Sequence, residues 1–221
     1  EGRYIYIANA VFDRRYNQGT ITVYDTWEHV FVEEATTAIG LLAGGIAIHD
    51  DRSVDGGSLN AYAAIRDRGA ILQLSLNAEA ESPDLHLIAD RQFDSFGERD
   101  FADDPYDIVV DDDGLMVTHL GRGVVSRWYF LRDESGRATG DLSFGCFRDL
   151  PNGATYLAKH PSAPLWYVTD RSASRIYALS LRSAVTSDGS VSEGQCELRL
   201  ESSIAVNSLS TRGLAFSPDG S

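Results

Sequence analysis

Lysine is almost missing from this chain. Of nineteen basic residues only Lys159 is a lysine and the rest are arginine, against thirty-three acids, for a formal charge of −14. No basic cluster is longer than Arg14-Arg15. A phosphate backbone would be repelled by such a surface, so nucleic acid is excluded as a partner. Long apolar runs are also lacking. The longest candidate, Ala38 to Ile48, is broken by Gly40, Gly44 and Gly45 and falls short of the roughly 18 residues a membrane-spanning helix needs. No transmembrane segment is expected.

Cysteine is scarce. Cys146 and Cys196 form no C-x-x-C pair, and the five histidines show no close pairing that would build a tetrahedral zinc site. There is no Gly-x-Ser-x-Gly elbow, and the glycines from Gly40 to Gly45 lack the lysine and hydroxyl of a phosphate-binding loop. Nucleophilic hydrolysis and nucleotide binding therefore have no motif to stand on.

What the chain does have is a repeat. Gly45-Ile46-Ala47-Ile48-His49-Asp50-Asp51, Asp107-Ile108-Val109-Val110-Asp111-Asp112-Asp113-Gly114, Thr155-Tyr156-Leu157-Ala158-Lys159-His160-Pro161 and Gly213-Leu214-Ala215-Phe216-Ser217-Pro218-Asp219-Gly220 are each a short apolar run closed by a polar turn. Taking Ile46, Ile108, Tyr156 and Leu214 as equivalent gives intervals of 62, 48 and 58 residues. These are near the roughly 40–50 residues of one propeller blade, lengthened by loops. After each turn come a second apolar strand, a longer alternating strand such as Arg175 to Leu181, and a more polar fourth strand. Period-two alternation is the mark of a half-buried strand.

The reading is all-β: a propeller of four-stranded antiparallel blades, about four in this chain. Strands are predicted at 4–9, 21–25, 45–49, 61–65, 70–76, 106–110, 115–119, 124–131, 155–158, 165–169, 175–181 and 212–216. The blade units are 1–40, 41–104, 105–153 and 154–211, with 212–221 as the inner strand of a further or composite blade. Two closures stay open: a four-blade ring locked by its own ends, or part of a larger ring completed by sequence or a chain beyond this one.

Gly2-Arg3-Tyr4-Ile5-Tyr6-Ile7-Ala8-Asn9 followed by Gly19-Thr20-Ile21-Thr22-Val23-Tyr24-Asp25-Thr26 resembles the blade of YVTN-type and lactonase-like propellers, and Leu214 to Gly220 is similar to the inner strand and turn that precede such a blade. The resemblance implies the fold strongly and the function hardly at all, since one fold hosts many activities. It also implies a periplasmic, secreted or cell-surface location. A lactonase-like enzyme would work with carboxylates at the ring mouth, in some cases around a divalent metal, but no catalytic position of that family maps onto a residue here.

Candidate binding residues follow from blade phase. Asn9, Arg66, His119 and Asp170 end the second strand of successive units, and their varied chemistry suits a site built from several blades. The long connection from Asp90 to Pro105 should open on the same face, carrying Phe93, Phe96 and Phe101 among its charges. Asp111-Asp112-Asp113-Gly114 invites calcium, yet lacks alternating ligand spacing and reads as a hairpin turn. No cofactor is expected. The expected function is a non-enzymatic binding or scaffold subunit that meets a protein partner or larger assembly through its loop-rich face; the alternative is a lactonase-like, metal-assisted hydrolase of small molecules. The cysteines should not be bridged, because Cys146 ends its outer strand whereas Cys196 begins the next one, a strand's length away.

Overall fold

Strands whose two faces are both covered need apolar residues at every position, and the middle of this chain provides them. In a computed structural model that describes residues 3–11, 17–53, 57–76, 87–94, 104–151, 153–186, 188, 191–207, 211, 213–217 and 219–220, fifteen strands form four consecutive antiparallel sheets. The first sheet holds three strands, β1 (Tyr4–Asn9), β2 (Gly19–Asp25) and β3 (Val30–Ile39). The second holds β4 (Ala43–Asp50), β5 (Leu59–Ile65), β6 (Ala70–Leu76) and β7 (Leu87–Asp94). The third holds β8 (Pro105–Asp111), β9 (Gly114–His119), β10 (Val124–Arg132) and β11 (Ala138–Asp149). The fourth holds β12 (Ala154–Lys159), β13 (Leu165–Asp170), β14 (Arg175–Val185) and β15 (Val191–Ala205). Up-and-down order within each sheet and packing of each sheet on the next make this a β-propeller-like fold of about four blades. Among the described residues helix is confined to one turn at Arg66–Arg68, and no helix is long and apolar enough to cross a membrane.

Three separate clusters fill the three gaps between sheets. Ile21 and Ile39 of the first sheet pack on Ala61, Ala63 and Leu74 of the second. Tyr62 and Ile71, on the other face of that sheet, meet Ile108, Leu115, Val117 and Trp128. Met116 and Val125 then face Trp166, Val168, Tyr177 and Leu179. Neighbouring residues such as Leu115 and Met116 thus serve different interfaces, as strand alternation requires. Each fully buried aliphatic side chain stabilises by roughly 1.5–3 kcal/mol.

The second strand of each four-stranded sheet and the third strands of the two central sheets are the most buried, whereas β4, β8 and β12 are half-open. These inner strands lie beside one another, β4 on β8 and β8 on β12, and line the axis of the arc. The fourth strands are polar because they form the rim. Among the described residues no ladder joins the last sheet to the first.

The predicted spans from 4–9 to 175–181 lie within strands; of the one at 212–216, the described residues 213–216 do not. Residues 213–217 make no ladder, because a strand needs a neighbour and β1 pairs only with β2. Phe216 instead rests on Tyr167 and His160 of the last sheet, with ring centroids 5.1 Å from each.

The cysteine expectation is overturned. Cys146 and Cys196 form a disulfide, their Cα atoms 5.5 Å apart. The outer strands are far longer than their weak alternation suggested: twelve residues in β11 and fifteen in β15. Cys196 therefore lies inside β15, opposite Ser183, and reaches Cys146, opposite Arg127, across the rim.

Candidate functional site

Register, rather than periodicity, shows where the inner strands point. Ile65, His119 and Asp170 end β5, β9 and β13, and each pairs with the first residue of its inner strand, Ala43, Pro105 or Ala154. Two residues back along the second strand, Ala63, Val117 and Val168 pair with Ile46, Ile108 and Leu157. Three inner-strand steps thus oppose two, so every four-stranded sheet carries a bulge at the same place. A bulge re-aims side chains and sharpens local twist. Here the bulges stack Gly44-Gly45, Tyr106-Asp107 and Thr155-Tyr156 around one end of the axis.

This register corrects the equivalences drawn from the repeat. Leu157, not Tyr156, matches Ile46 and Ile108. Arg66 stands one residue beyond His119 and Asp170, so its counterparts are Leu120 and Arg171. Backbone bonds agree: the N–H groups of Arg66, Leu120 and Arg171 donate to Leu42 O (2.9 Å), Asp104 O (3.0 Å) and Gly153 O (3.2 Å), each just before an inner strand. A slip of one residue turns a side chain to the opposite face, which is why these positions behave so differently.

Arg66 reaches the mouth. Its guanidinium grips Asp104 through Nε (2.6 Å) and Nη2 (3.1 Å) and lies 5.0 Å above the Tyr106 ring. Tyr106 in turn meets Tyr156 edge-on, its hydroxyl 3.3 Å from the Tyr156 hydroxyl. Burial, then that bond, push the Tyr106 hydroxyl up to about 12, so it stays protonated. Asp107 ties inner strands together: its Oδ2 accepts the Leu157 N–H at 2.9 Å, and a Cβ on Gly45 would lie 2.0 Å from its Oδ1. Burial raises the Asp107 carboxyl to about 6 against the opposing bonds from Leu157 and Ile108. Two hollows flank the tyrosine pair. One, of about 220 Å³, is lined by Gly44, Gly45, Arg66, Tyr106, Asp107 and Tyr156; the other, of about 160 Å³, by Tyr106, Thr155, Tyr156, Arg171 and Thr211.

The other candidates sit elsewhere. His119 is fully buried inside the third sheet, where its Nε2 and the Trp128 Nε1 share the Ser126 hydroxyl at 2.8 and 2.9 Å. Asp170 is fully buried too. Its burial would raise the carboxyl, but donors from Ser172, Tyr177 and Ala173 outweigh this and hold it below the ordinary value. Asn9 is exposed and bonds Thr20 and Thr22 across β2, beside a wide hollow of about 720 Å³ that it lines with Val11, Asn17 and Thr20. Phe93 lies within β7, opposite Ile71, and packs in the gap between second and third sheets. The connection is therefore strand up to Asp94; Phe96 and Phe101 lie outside the described residues. Asp111, the last residue of β8, is taken by Arg127 through two bonds of 2.7 and 2.9 Å. Among the described residues no three His, Cys, Asp or Glu side chains converge to hold a metal.

Tyr106, Asp107, Tyr156 and Arg171 were missed in the sequence because each reads as an ordinary strand or turn residue. The signal that could have found them is the pair of tyrosines fifty residues apart, each just ahead of an inner strand's aliphatic run.

No family model matches the chain, and no curated protein matches its sequence. Solved structures do resemble it. A protein from Lactobacillus plantarum superposes with a TM-score of 0.65 at 15% identity, over 99% of this chain and 59% of that one. A candidate 6-phosphogluconolactonase from Bacteroides uniformis gives 0.49 at 13% identity over 99% and 74%, and the glutaminyl cyclase of Myxococcus xanthus 0.40 at 11% over 73% and 57%. This chain therefore spans less than two thirds of the first of these structures, and at such identities the likeness is one of fold.

Proposed function

We propose that the chain is a non-enzymatic binding or scaffold part of a lactonase-like β-propeller, and that it meets its partner through the face around the axial mouth. The observation that supports this is the stack of three bulges, which presents Arg66, Tyr106 and Tyr156 in a fixed constellation. Arg66 is oriented by Asp104 and by Tyr106, and Tyr106 by Tyr156. Groups already held in place lose little freedom on binding, which favours recognition. Asn9 belongs to the same proposed face.

Further propeller sheets complete the ring, supplied by more sequence or another chain. The support is that the outer face of the first sheet leaves Ile5 and Phe31 exposed and that of the last leaves Ile204 exposed, whereas the two central sheets are covered on both faces. An exported location is supported by the Cys146–Cys196 bond, which belongs to oxidising compartments.

A hydrolase is the second reading, favoured by one observation: Asp107 titrates near 6 beside a hollow, as a general acid or base should. The test is hydrolysis of a panel of simple lactones, with and without added divalent ions, alongside the metal content of the purified protein. No turnover is expected. Turnover that disappears in Asp107→Asn would replace the binding role with the enzymatic one.

A further inference from the structure

Arg66 and Arg171 occupy the same position in their sheets, yet only one has an acid. Arg66 holds Asp104, which precedes the inner strand of the next sheet. Beside Arg171 the hollow is lined by Thr211 instead, a neutral residue. Among the described residues Arg171 makes no ion pair and is exposed, and its charge acts on the Tyr106 hydroxyl.

The other groups around this hollow of about 160 Å³ sharpen the contrast. Tyr156 accepts a hydrogen bond from the Tyr106 hydroxyl, leaving its own hydroxyl proton to donate. Thr211 donates to Asp170 O at 2.8 Å and Thr155 to Thr169 O at 3.0 Å, so both threonines are committed to the backbone. Among the described residues the lining of this hollow includes no carboxylate. A cation and a free hydroxyl donor, facing a space of a few heavy atoms in a chain of charge −14, select for what the rest of the surface repels.

We propose that this hollow binds a compact oxyanion, carried by a small organic acid or a phosphate ester, with Arg171 pairing to the anion and Tyr156 donating a second bond. The anion takes the place that Asp104 fills beside Arg66. The inference rests on the mouth being a recognition surface, and it adds the ligand's chemistry.

Calorimetric titration of the 221-residue chain at low salt, with acetate, succinate, inorganic phosphate and neutral acetamide as probes, tests it. Binding of at least one anion is expected, and none of acetamide. Preference for phosphate over the carboxylates identifies a phosphate ester as the source, and the reverse an organic acid. Arg171→Gln should weaken binding about tenfold or more, the effect of losing a charge-assisted bond. Arg182→Gln, which removes an exposed charge on β14, should leave it unchanged, and circular dichroism should show both variants folded. Equal binding of acetate and acetamide, no anion binding, or an Arg171→Gln variant that binds as wild type overturns the proposal. Lactone turnover with anion binding intact would overturn the non-enzymatic role and leave the anion site standing.

Discussion

Breaking the rim disulfide should cost about as much as a large truncation in the core. Cys146 and Cys196 are separated by 50 residues. For a loop of that length, constraint of the unfolded chain amounts to about 14 cal/mol/K, or about 4 kcal/mol at 25 °C. The folded state loses little besides: Tyr129 donates to Cys196 Sγ at 3.5 Å, and Cys146 packs at the edge of the cluster between the third and fourth sheets. In a chain of this size 1 kcal/mol moves the melting temperature by roughly 2–4 °C, so a drop of about 8–16 °C is expected for Cys146→Ala/Cys196→Ala. Urea denaturation of oxidised wild type, reduced wild type, both single variants and the double variant measures it. Since the two sulfurs make one cross-link, each single variant should lose nearly as much as the double, and reduction should reproduce the loss. Thiol titration of the denatured, unreduced wild type should find no free thiol. Two free thiols, or a double variant within about 0.5 kcal/mol of wild type, the scatter typical of neutral surface changes, would refute the reasoning.

Asp111→Asn should destabilise by about 3–5 kcal/mol, because it strands the buried Arg127 guanidinium; a urea midpoint close to wild type would show that Arg127 finds another acceptor. Gly45→Ala places a Cβ 2.0 Å from Asp107 Oδ1 and 3.0 Å from Ile108 N, so a loss of roughly 1–3 kcal/mol is expected, and an unchanged melting temperature would mean the inner strands can part. Asp107 sets a pH dependence. Its carboxyl is raised to about 6 in the folded state, so the folded protein holds this proton while the unfolded chain releases it near 4, and stability from this group falls as pH rises from about 4 to 6. The amplitude is at most about 3 kcal/mol. Asp25 and Asp50, held down to about 2 by Arg3 and Arg52, act oppositely at lower pH. The wild-type minus Asp107→Asn difference should therefore slope between pH 4 and 6 and be flat from 7 to 8; parallel profiles would contradict the assigned burial.

The strands were legible where both faces are buried or alternate cleanly. Val124 to Leu131 and Arg175 to Leu181 announce themselves through apolar content and period. The mouth was not, because a bulge adds a residue without changing composition. The repeat aligned Tyr156 with Ile46 and Ile108, whereas the ladder aligns Leu157, and a second one-residue slip, which set Arg66 level with His119 and Asp170, hid its kinship with Arg171. The rim was misjudged for a different reason. The outer strand Val191–Ala205 exposes Glu197, Glu201, Ser202 and Ser203, so its length follows from pairing with β14 and leaves little hydrophobic trace. Residues 213–217 show the converse, an apolar run with the look of a strand but no neighbour to pair with.

That each gap between sheets has its own cluster bears on how such a protein can drift. Ile21 and Leu179 share no partner, so substitutions in the first gap and the third should add in a double-mutant cycle, as distant sites do. A compensating pair can then arise in one gap while the others stand still. Over time every gap can exchange its residues in its own order, and the lineage keeps its architecture while its letters diverge.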